Sequence, residues 1–397
     1  MMSENKSVKE VVSKVFNDIA EAIETGEFNE KIKIGLTTMG SEHGIETLVE
    51  AAEISNNSSG FYEIVLIGPR VQTNLKTYEV NDEKEMHKKM EELLESGEIQ
   101  GCVTMHYNFP IGVSTVGKVI TPGKGREMLI ATTTGTSAVN RVEAMVKNAL
   151  YGIITAKATG IKKPRVGILN VDGARQVEKA LKELISKGYQ FDLAESIRSE
   201  GGSIMRGNDL LAGTPDVMVT DTLTGNVLMK IFSAYTTGGD YESLGYGYGP
   251  GIGEGQDKII LILSRASGVP VIINALQYAA DLARGNLLQL IKTEFEKARK
   301  AKLDETLDGL TKENKKNIGD ETSKIQPPPK EVVTGSISGI DIMDLEDAVE
   351  TLWGKGIYAE SGMGCTGPIL MVHEKRIEKA LNILEEAGFV ADESADC

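Results

Sequence analysis

The first apolar residues recur at helical spacing: Val8, Val11, Val12, Val15, Phe16, Ile19 and Ile23, with the run stopping near Gly26. This pattern predicts an amphipathic arm over residues 1–30, packed on the body or on a partner subunit. From residue 31 the pattern changes to short apolar runs alternating with helical stretches. Strands are predicted at 31–37, 62–67, 101–105, 128–132, 165–169, 216–220 and 258–263, and helices at 45–55, 83–96, 137–158, 174–187 and 225–235. Strands that are apolar throughout, rather than alternating, belong to a sheet buried on both faces. The expected fold over 31–300 is therefore α/β: a three-layer, doubly wound, mostly parallel sheet. Residues 301–330 break the pattern. They are rich in Lys, Glu and Asp and close on Pro327-Pro328-Pro329, which reads as a solvated linker. A small α/β module over 331–397 follows, with strands near 331–334, 357–360 and 369–372 and helices near 345–353 and 374–387. No internal repeat is apparent.

Composition adds bounds. A hydrophobic share of 41% and a charged share of 25% suit a globular protein with a sizeable core. The net charge of −15 argues against nucleic acid or an anionic membrane as partner. Residues 1–10 are polar, and the longest apolar runs, such as 259–263, are strand-sized, so a cytoplasmic protein is expected. Three dispersed cysteines and four dispersed histidines build neither a disulfide framework nor a spaced zinc site. No metal or cofactor is expected, and cysteine chemistry is thiol chemistry.

In a parallel α/β body, ligands bind beyond the C-terminal strand ends, where loops enter helices. Four such loops are rich in glycine and hydroxyls. They carry Thr38, Gly40 and Ser41; Thr134; Asn170; and Asp221, Thr222, Thr224, Gly225 and Asn226, followed by Lys230. Backbone N–H groups, hydroxyls and helix dipoles of this kind hold phosphate, although each loop also reads as an ordinary helix cap. Neither a Walker A sequence nor a G-x-G-x-x-G follows the first strand, so nucleotide binding has little support. The Gly/Tyr-rich stretch 245–255 reads as a lid or as a plain connection.

The C-terminal module carries Ser361-Gly-Met-Gly-Cys-Thr-Gly-Pro368 between two predicted strands. Flanking Gly362, Gly364, Thr366 and Gly367 let a ligand approach Cys365 and point N–H groups at its sulfur, which favours a reactive thiol over a buried structural one. Cys102, inside an apolar strand, reads first as core packing. His43 is either a proton shuttle or a structural loop residue. His106 carries the same two readings, and His87, His373 and Cys397 receive no role.

Several motifs point to a family. Arg165-Val-Gly-Ile-Leu-Asn-Val-Asp172, Arg206-Gly-Asn-Asp-Leu-Leu-Ala-Gly213, the stretch from Asp216 to Val227 and Met39-Gly-Ser-Glu-His-Gly44 resemble motifs of the bacterial phosphate acyltransferases of phospholipid synthesis. That resemblance implies transfer of an acyl group from a thioester to inorganic phosphate, on a fold related to isocitrate dehydrogenase and phosphotransacetylase. The sequence departs from the family at Ser264-Arg265, where His-Gly is usual. Taken with its C-terminal module, the whole chain resembles the component C alpha subunits of glycine, sarcosine and betaine reductases. This second resemblance implies redox-active thiols, an acetyl thioester on Cys365 with Cys102 as the second cysteine, and attack by phosphate to release acetyl phosphate. It also implies a thiolase/ketoacyl-synthase-like beta subunit and a selenoprotein A as partners in an oligomer, the latter delivering a selenium-bound carboxymethyl group. Two alternatives stay open: a general phosphate acyltransferase using coenzyme A or carrier-protein thioesters, and a non-catalytic docking subunit.

Overall fold

The computed structural model describes residues 31–199, 201–315, 326–340, 344–364 and 367–390. The predicted arm over 1–30, Cys365, Thr366 and Cys397 lie outside the described residues.

The chain enters through β1 (Ile32–Thr37), α1 (Gly44–Ser58), β2 (Tyr62–Gly68), β3 (Lys76–Glu79), α2 (Glu83–Glu95) and β4 (Gly101–Thr104). It continues through β5 (Phe109–Pro110), β6 (Val113–Ile120), β7 (Glu127–Thr136), α3 (Arg141–Ala158), β8 (Arg165–Leu169), α4 (Ala174–Ser186), β9 (Asp192–Leu193), β10 (Ile204–Met205) and α5 (Gly207–Ala212). The body closes with β11 (Val217–Val219), α6 (Thr222–Ala234), β12 (Gly249–Ile252), β13 (Ile260–Ile262), α7 (Val269–Arg284), α8 (Leu287–Lys300) and α9 (Leu303–Lys315).

Local chemistry explains several boundaries. The Asp82 carboxylate caps α2 by accepting from the N–H groups of Lys84 and Glu85, and Met86, Met90 and Leu93 then bury one stripe. Asn140 caps α3 in the same way, so that helix starts at Arg141 rather than at the predicted 137. Buried residues encircle much of α3, which is the mark of a helix inside a layer rather than on its surface.

The body sheet runs β10-β8-β11-β7-β6-β12-β13-β4-β1-β2-β3, with β9 beside β8. Strands β3, β2, β1, β4 and β13 are mutually parallel, as are β7, β11, β8, β10 and β9. Between the two groups, β6 and β12 pair antiparallel to each other and to their neighbours, so the two parallel halves run in opposite directions. Side chains alternate between two cores: Ile34, Leu36, Ile64 and Leu66 face α1, α3 and α7, whereas Val65, Ile67 and Ile260 face α2. The result is the expected three-layer α/β body. No described helix is long and apolar enough to cross a membrane.

Two readings require correction. The Gly/Tyr-rich stretch is no lid: its centre is β12, a buried strand of the seam between the halves. A Cβ on Gly249 would lie 1.9 Å from the Val116 carbonyl oxygen, at a φ of +87°, and one on Gly251 would lie 2.3 Å from the Phe109 ring. The glycines are there because backbones and a ring approach too closely for side chains. The stretch 301–330 also does not begin as a linker. Leu303 and Leu307 bury in the main core and Leu310 packs against it, so the spacing of four then three docks α9 on the body.

The module comprises β14 (Gly335–Ser338), α10 (Leu345–Gly354), β15 (Ala359–Gly364), β16 (Gly367–Val372) and α11 (Ile377–Glu386). Its sheet, ordered β14-β16-β15-β5, is antiparallel and takes its last strand from the body, with Met363 opposite Phe109 and Gly362 opposite Pro110.

Candidate active site at the sheet seam

The site begins at an irregularity in β7. Ser114 pairs with Gly135 and Val116 with Ala131, so Thr132, Thr133 and Thr134 bulge opposite Thr115. Hydroxyls pin the bulge: Thr132 Oγ1 donates to the Thr115 carbonyl (2.6 Å) and Thr133 Oγ1 to the Tyr248 carbonyl (2.7 Å). The Thr134 N–H donates to Thr115 Oγ1 at 3.0 Å. Helix α6 presses on this bulge. A Cβ at Gly225 would sit 1.7 Å from the Thr132 carbonyl oxygen, and Asn226 Nδ2 donates to the Thr133 carbonyl at 3.0 Å.

Asn226 and Lys230, one turn apart, share the face of α6 that looks into a cavity of about 260 Å³. Lys230 Nζ donates to Glu242 Oε1 at 2.6 Å and to Ser264 Oγ at 2.5 Å. Glu242 is 1% exposed, and its other oxygen accepts from Ser267 Oγ at 3.0 Å. Burial opposes the charge on Lys230, but the Glu242 carboxylate more than compensates, and its pKa stands above the ordinary lysine value. The ammonium is thus held in place and charged at neutral pH. Arg265 lines the same cavity from the loop after β13 and makes no ion pair among the described residues. Its carbonyl accepts from the Glu42 N–H at 2.9 Å, which ties the loop after β1 to the loop after β13. The apolar part of the lining comes from Met105, Phe109, Ile262, Leu263 and Met363, beside Gly364. Two cations, the carboxylate of Glu42, hydroxyls and an amide face an apolar wall, and the cations with the hydroxyls and amide make a place for a small anion carrying a short apolar group.

The predicted residues divide. Thr134, Asn226, Lys230 and Gly364 line this cavity. Gly362 and Gly367 belong to the hairpin of β15 and β16, and Gly364 pairs with Gly367 immediately beside the undescribed Cys365 and Thr366. The loop after β1 is spent on its own geometry. Thr38 Oγ1 donates to the Ile67 carbonyl at 3.4 Å, Gly40 takes a φ of +95°, and Ser41 Oγ accepts from the His43 N–H at 3.1 Å. His43 Nε2 lies 3.2 Å from the Ala266 carbonyl, at the edge of the site rather than in its lining. Asn170 is exposed at the end of β8, away from the cavity lining.

The start of α6 is already occupied. Asp221 accepts from the Thr224 N–H (3.1 Å), from Thr224 Oγ1 (2.7 Å) and from Arg141 (3.1 Å). Burial raises its pKa, yet these donors outweigh it and hold the carboxyl below the ordinary range. A permanent carboxylate stands where a phosphate was expected, Thr222 Oγ1 donates to the Gly135 carbonyl at 3.1 Å, and Gly225 serves close packing. Cys102 is fully buried in β4, where burial pushes its thiol far up; it shares a core cluster with Phe109 and Ile262 but does not itself line the cavity.

Glu242, Ser264, Arg265 and Tyr248 were missed as site residues. Ser264-Arg265 had a signal, being a polar pair directly after the apolar run 259–263, at a strand end where parallel sheets bind ligands. Glu242 had none, because only folding brings it to Lys230.

Fold and cavity together define a three-layer α/β protein with a pocket at its strand ends whose lining holds two cations, a carboxylate and hydroxyls. Residues 32–371 match the family model described as fatty acid synthesis protein. A glycine/sarcosine/betaine reductase complex component C subunit alpha of Peptoclostridium acidaminophilum is 63% identical over 384 residues, covering 97% of this chain and 99% of the relative. A phosphate acyltransferase of Thermotoga petrophila is 29% identical over 234 residues, 51% of this chain and 68% of the relative. Among solved structures, a branched-chain phosphotransacylase from Enterococcus faecalis covers 63% of this chain and 99% of its own, at 16% identity and a TM-score of 0.45. The chain belongs to the fatty acid synthesis protein family, and within it to the component C alpha subunits of glycine, sarcosine and betaine reductase.

Proposed function

We propose that this chain is the cytoplasmic subunit in which an acetyl group, held as a thioester on Cys365, passes to inorganic phosphate. A phosphate oxygen forms the new C–O bond, the C–S bond breaks, and the sulfur leaves as thiolate to take up a proton; acetyl phosphate is released. Such a thioester keeps its acyl-transfer potential only where phosphate is held and water is kept away. The observation that carries this reading is the cavity itself: Lys230 and Arg265 line one part of it, and Met363 and Gly364, the two residues that precede Cys365 in the sequence, line another. The two-carbon group would arrive as a carboxymethyl group bound through selenium on selenoprotein A. The C–Se bond breaks, one thiol becomes oxidised by pairing with the selenium and so supplies the two electrons, and a second thiol takes the acetyl group with loss of water. A thiolase-like beta subunit would complete the complex.

A second reading keeps the phosphate site and drops the carrier cysteine. Thr134, Asn226, Lys230 and Arg265 all belong to the body, so a soluble acyl thioester would meet phosphate there without the module. One labelling experiment separates the two. The protein, alone and with its partner subunit, is incubated with radiolabelled acetyl phosphate and its peptides are mapped. Label on the peptide containing Cys365, abolished by Cys365→Ala, is the expected result. Absence of that label under both conditions sinks the carrier role. Phosphorolysis of acetyl-coenzyme A that survives Cys365→Ala selects the second reading.

A further inference from the structure

We infer that Phe109 and Met363 form the wall that sets the length of acyl group this site accepts. The inference rests on the acyl-to-phosphate reading above. The cavity, at about 260 Å³, lies below the roughly 300–1,000 Å³ of sites for drug-sized ligands, so phosphate and a short acyl group fill it.

Its lining is divided chemically. Lys230, Ser264 and Arg265 supply the anion-binding part. Phe109 and Met363 are opposed in register across β5 and β15, and Ile262 and Leu263 continue the apolar surface. An acyl group with its carbonyl near the phosphate has this surface to fill.

The wall is stiff on one side and adjustable on the other. Phe109 is 2% exposed and lies directly on the backbone of Gly251, where a Cβ would come within 2.3 Å of the ring. Tyr107 braces it edge-on, with ring centroids 5.0 Å apart, and is itself held by its hydroxyl donating to Glu91 at 3.0 Å. A ring so packed cannot swing aside for a longer chain. Met363 is partly exposed, on the strand the module lends to the site, and its unbranched side chain is the removable part of the wall. Selection by length would then come from the contact between body and module, not from either alone.

The full chain with its partner subunit is acylated with acetyl, propionyl and butyryl phosphate, and label on the protein is counted. Labelling of the unaltered protein should fall steeply from acetyl to butyryl. Met363→Ala should raise the butyryl-to-acetyl ratio about tenfold or more, the scale on which apolar pockets sense single methylenes. Phe109→Leu is a second, independent variant and should move the ratio in the same direction. Acetyl labelling that persists in both variants with the ratio within about twofold of the original overturns the wall. If the unaltered protein takes no label from any acyl phosphate, the acyl-carrier reading fails and the wall falls with it.

Discussion

The body and the C-terminal module bury their cores differently. In the body, strands are apolar on both faces, α3 is buried nearly all round, and the main cluster runs from Ile34 to Leu307. In the module, β14 alternates buried Gly335 and Ile337 with exposed Ser336 and Ser338, and α10 and α11 meet the apolar side around Leu345, Leu352, Leu370 and Leu384. A small antiparallel sheet of that kind has little stability to spare. The rigid unit therefore carries the cations of the cavity, and the weaker unit carries the strands that flank Cys365 in the sequence. Strand β5 joins them: it leaves the body at Phe109 and completes the module's sheet. The proposed transfer would benefit from this division, because a phosphate site gains from fixed dipoles while a carrier loop would also have to meet a donor.

The sharpest test of the body's rigidity is Gly249→Ala. A lid glycine would accept alanine at modest cost. This one takes a φ of +87° with the Val116 oxygen 1.9 Å from the added Cβ, so strain and overlap add. The expected loss is about 4 kcal/mol, large enough to leave the body unfolded or insoluble. Urea unfolding followed by far-UV circular dichroism measures it; a loss below about 1 kcal/mol would return the stretch to the status of a mobile connection. The matching change in the module, Leu370→Ala, deletes a fully buried side chain and should cost about 3 kcal/mol, confined to the module. Trp353, the chain's one tryptophan, lies in α10 with its Nε1 donating to the Ala359 carbonyl, so its fluorescence reports the module. The variant should shift the fluorescence midpoint and leave the bulk of the circular dichroism transition in place. Coincident shifts in both signals would mean that the two regions unfold as one.

The same contrast explains what the sequence made legible. Strands such as β2 and β13 carry continuous apolar runs, over 64–67 and 259–263, and their two-faced burial announced them. The seam was hidden because its residues obey a different rule. Gly249-Pro250-Gly251-Ile252 was selected for close approach of backbones, so it carries no apolar signature and resembles a loop. Strand β5 is two residues long and draws its partner from beyond residue 358, which no local pattern records. At the site, Thr134, Asn226 and Lys230 were visible as polar residues after strands. The carboxylate of Asp221 was visible too, but its role was misread: a sequence shows that a helix start suits an anion without showing that the helix supplies its own.

That capping carboxylate gives the finest comparison of the two regions. Asp221 begins α6 in the body and Asp344 begins α10 in the module, so both stand at N-caps. Asp221 accepts from the Thr224 N–H and hydroxyl and from Arg141, whereas the Asp344 side chain makes no capping hydrogen bond. Asp221→Ala should therefore cost about 1 kcal/mol and Asp344→Ala close to nothing. The pH dependence follows from the sign of the shift. The Asp221 pKa is depressed on folding, so the unfolded chain binds the proton more readily. Its contribution is complete above the ordinary value of 3.8 and is lost as pH falls from there through the folded value. Urea midpoints across that acid range should thus converge for the original protein and Asp221→Ala, while Asp344→Ala tracks the original throughout. Equal losses for the two substitutions at neutral pH would show that the module's helix is capped as firmly as the body's, and would remove the difference in local order on which the division of roles depends.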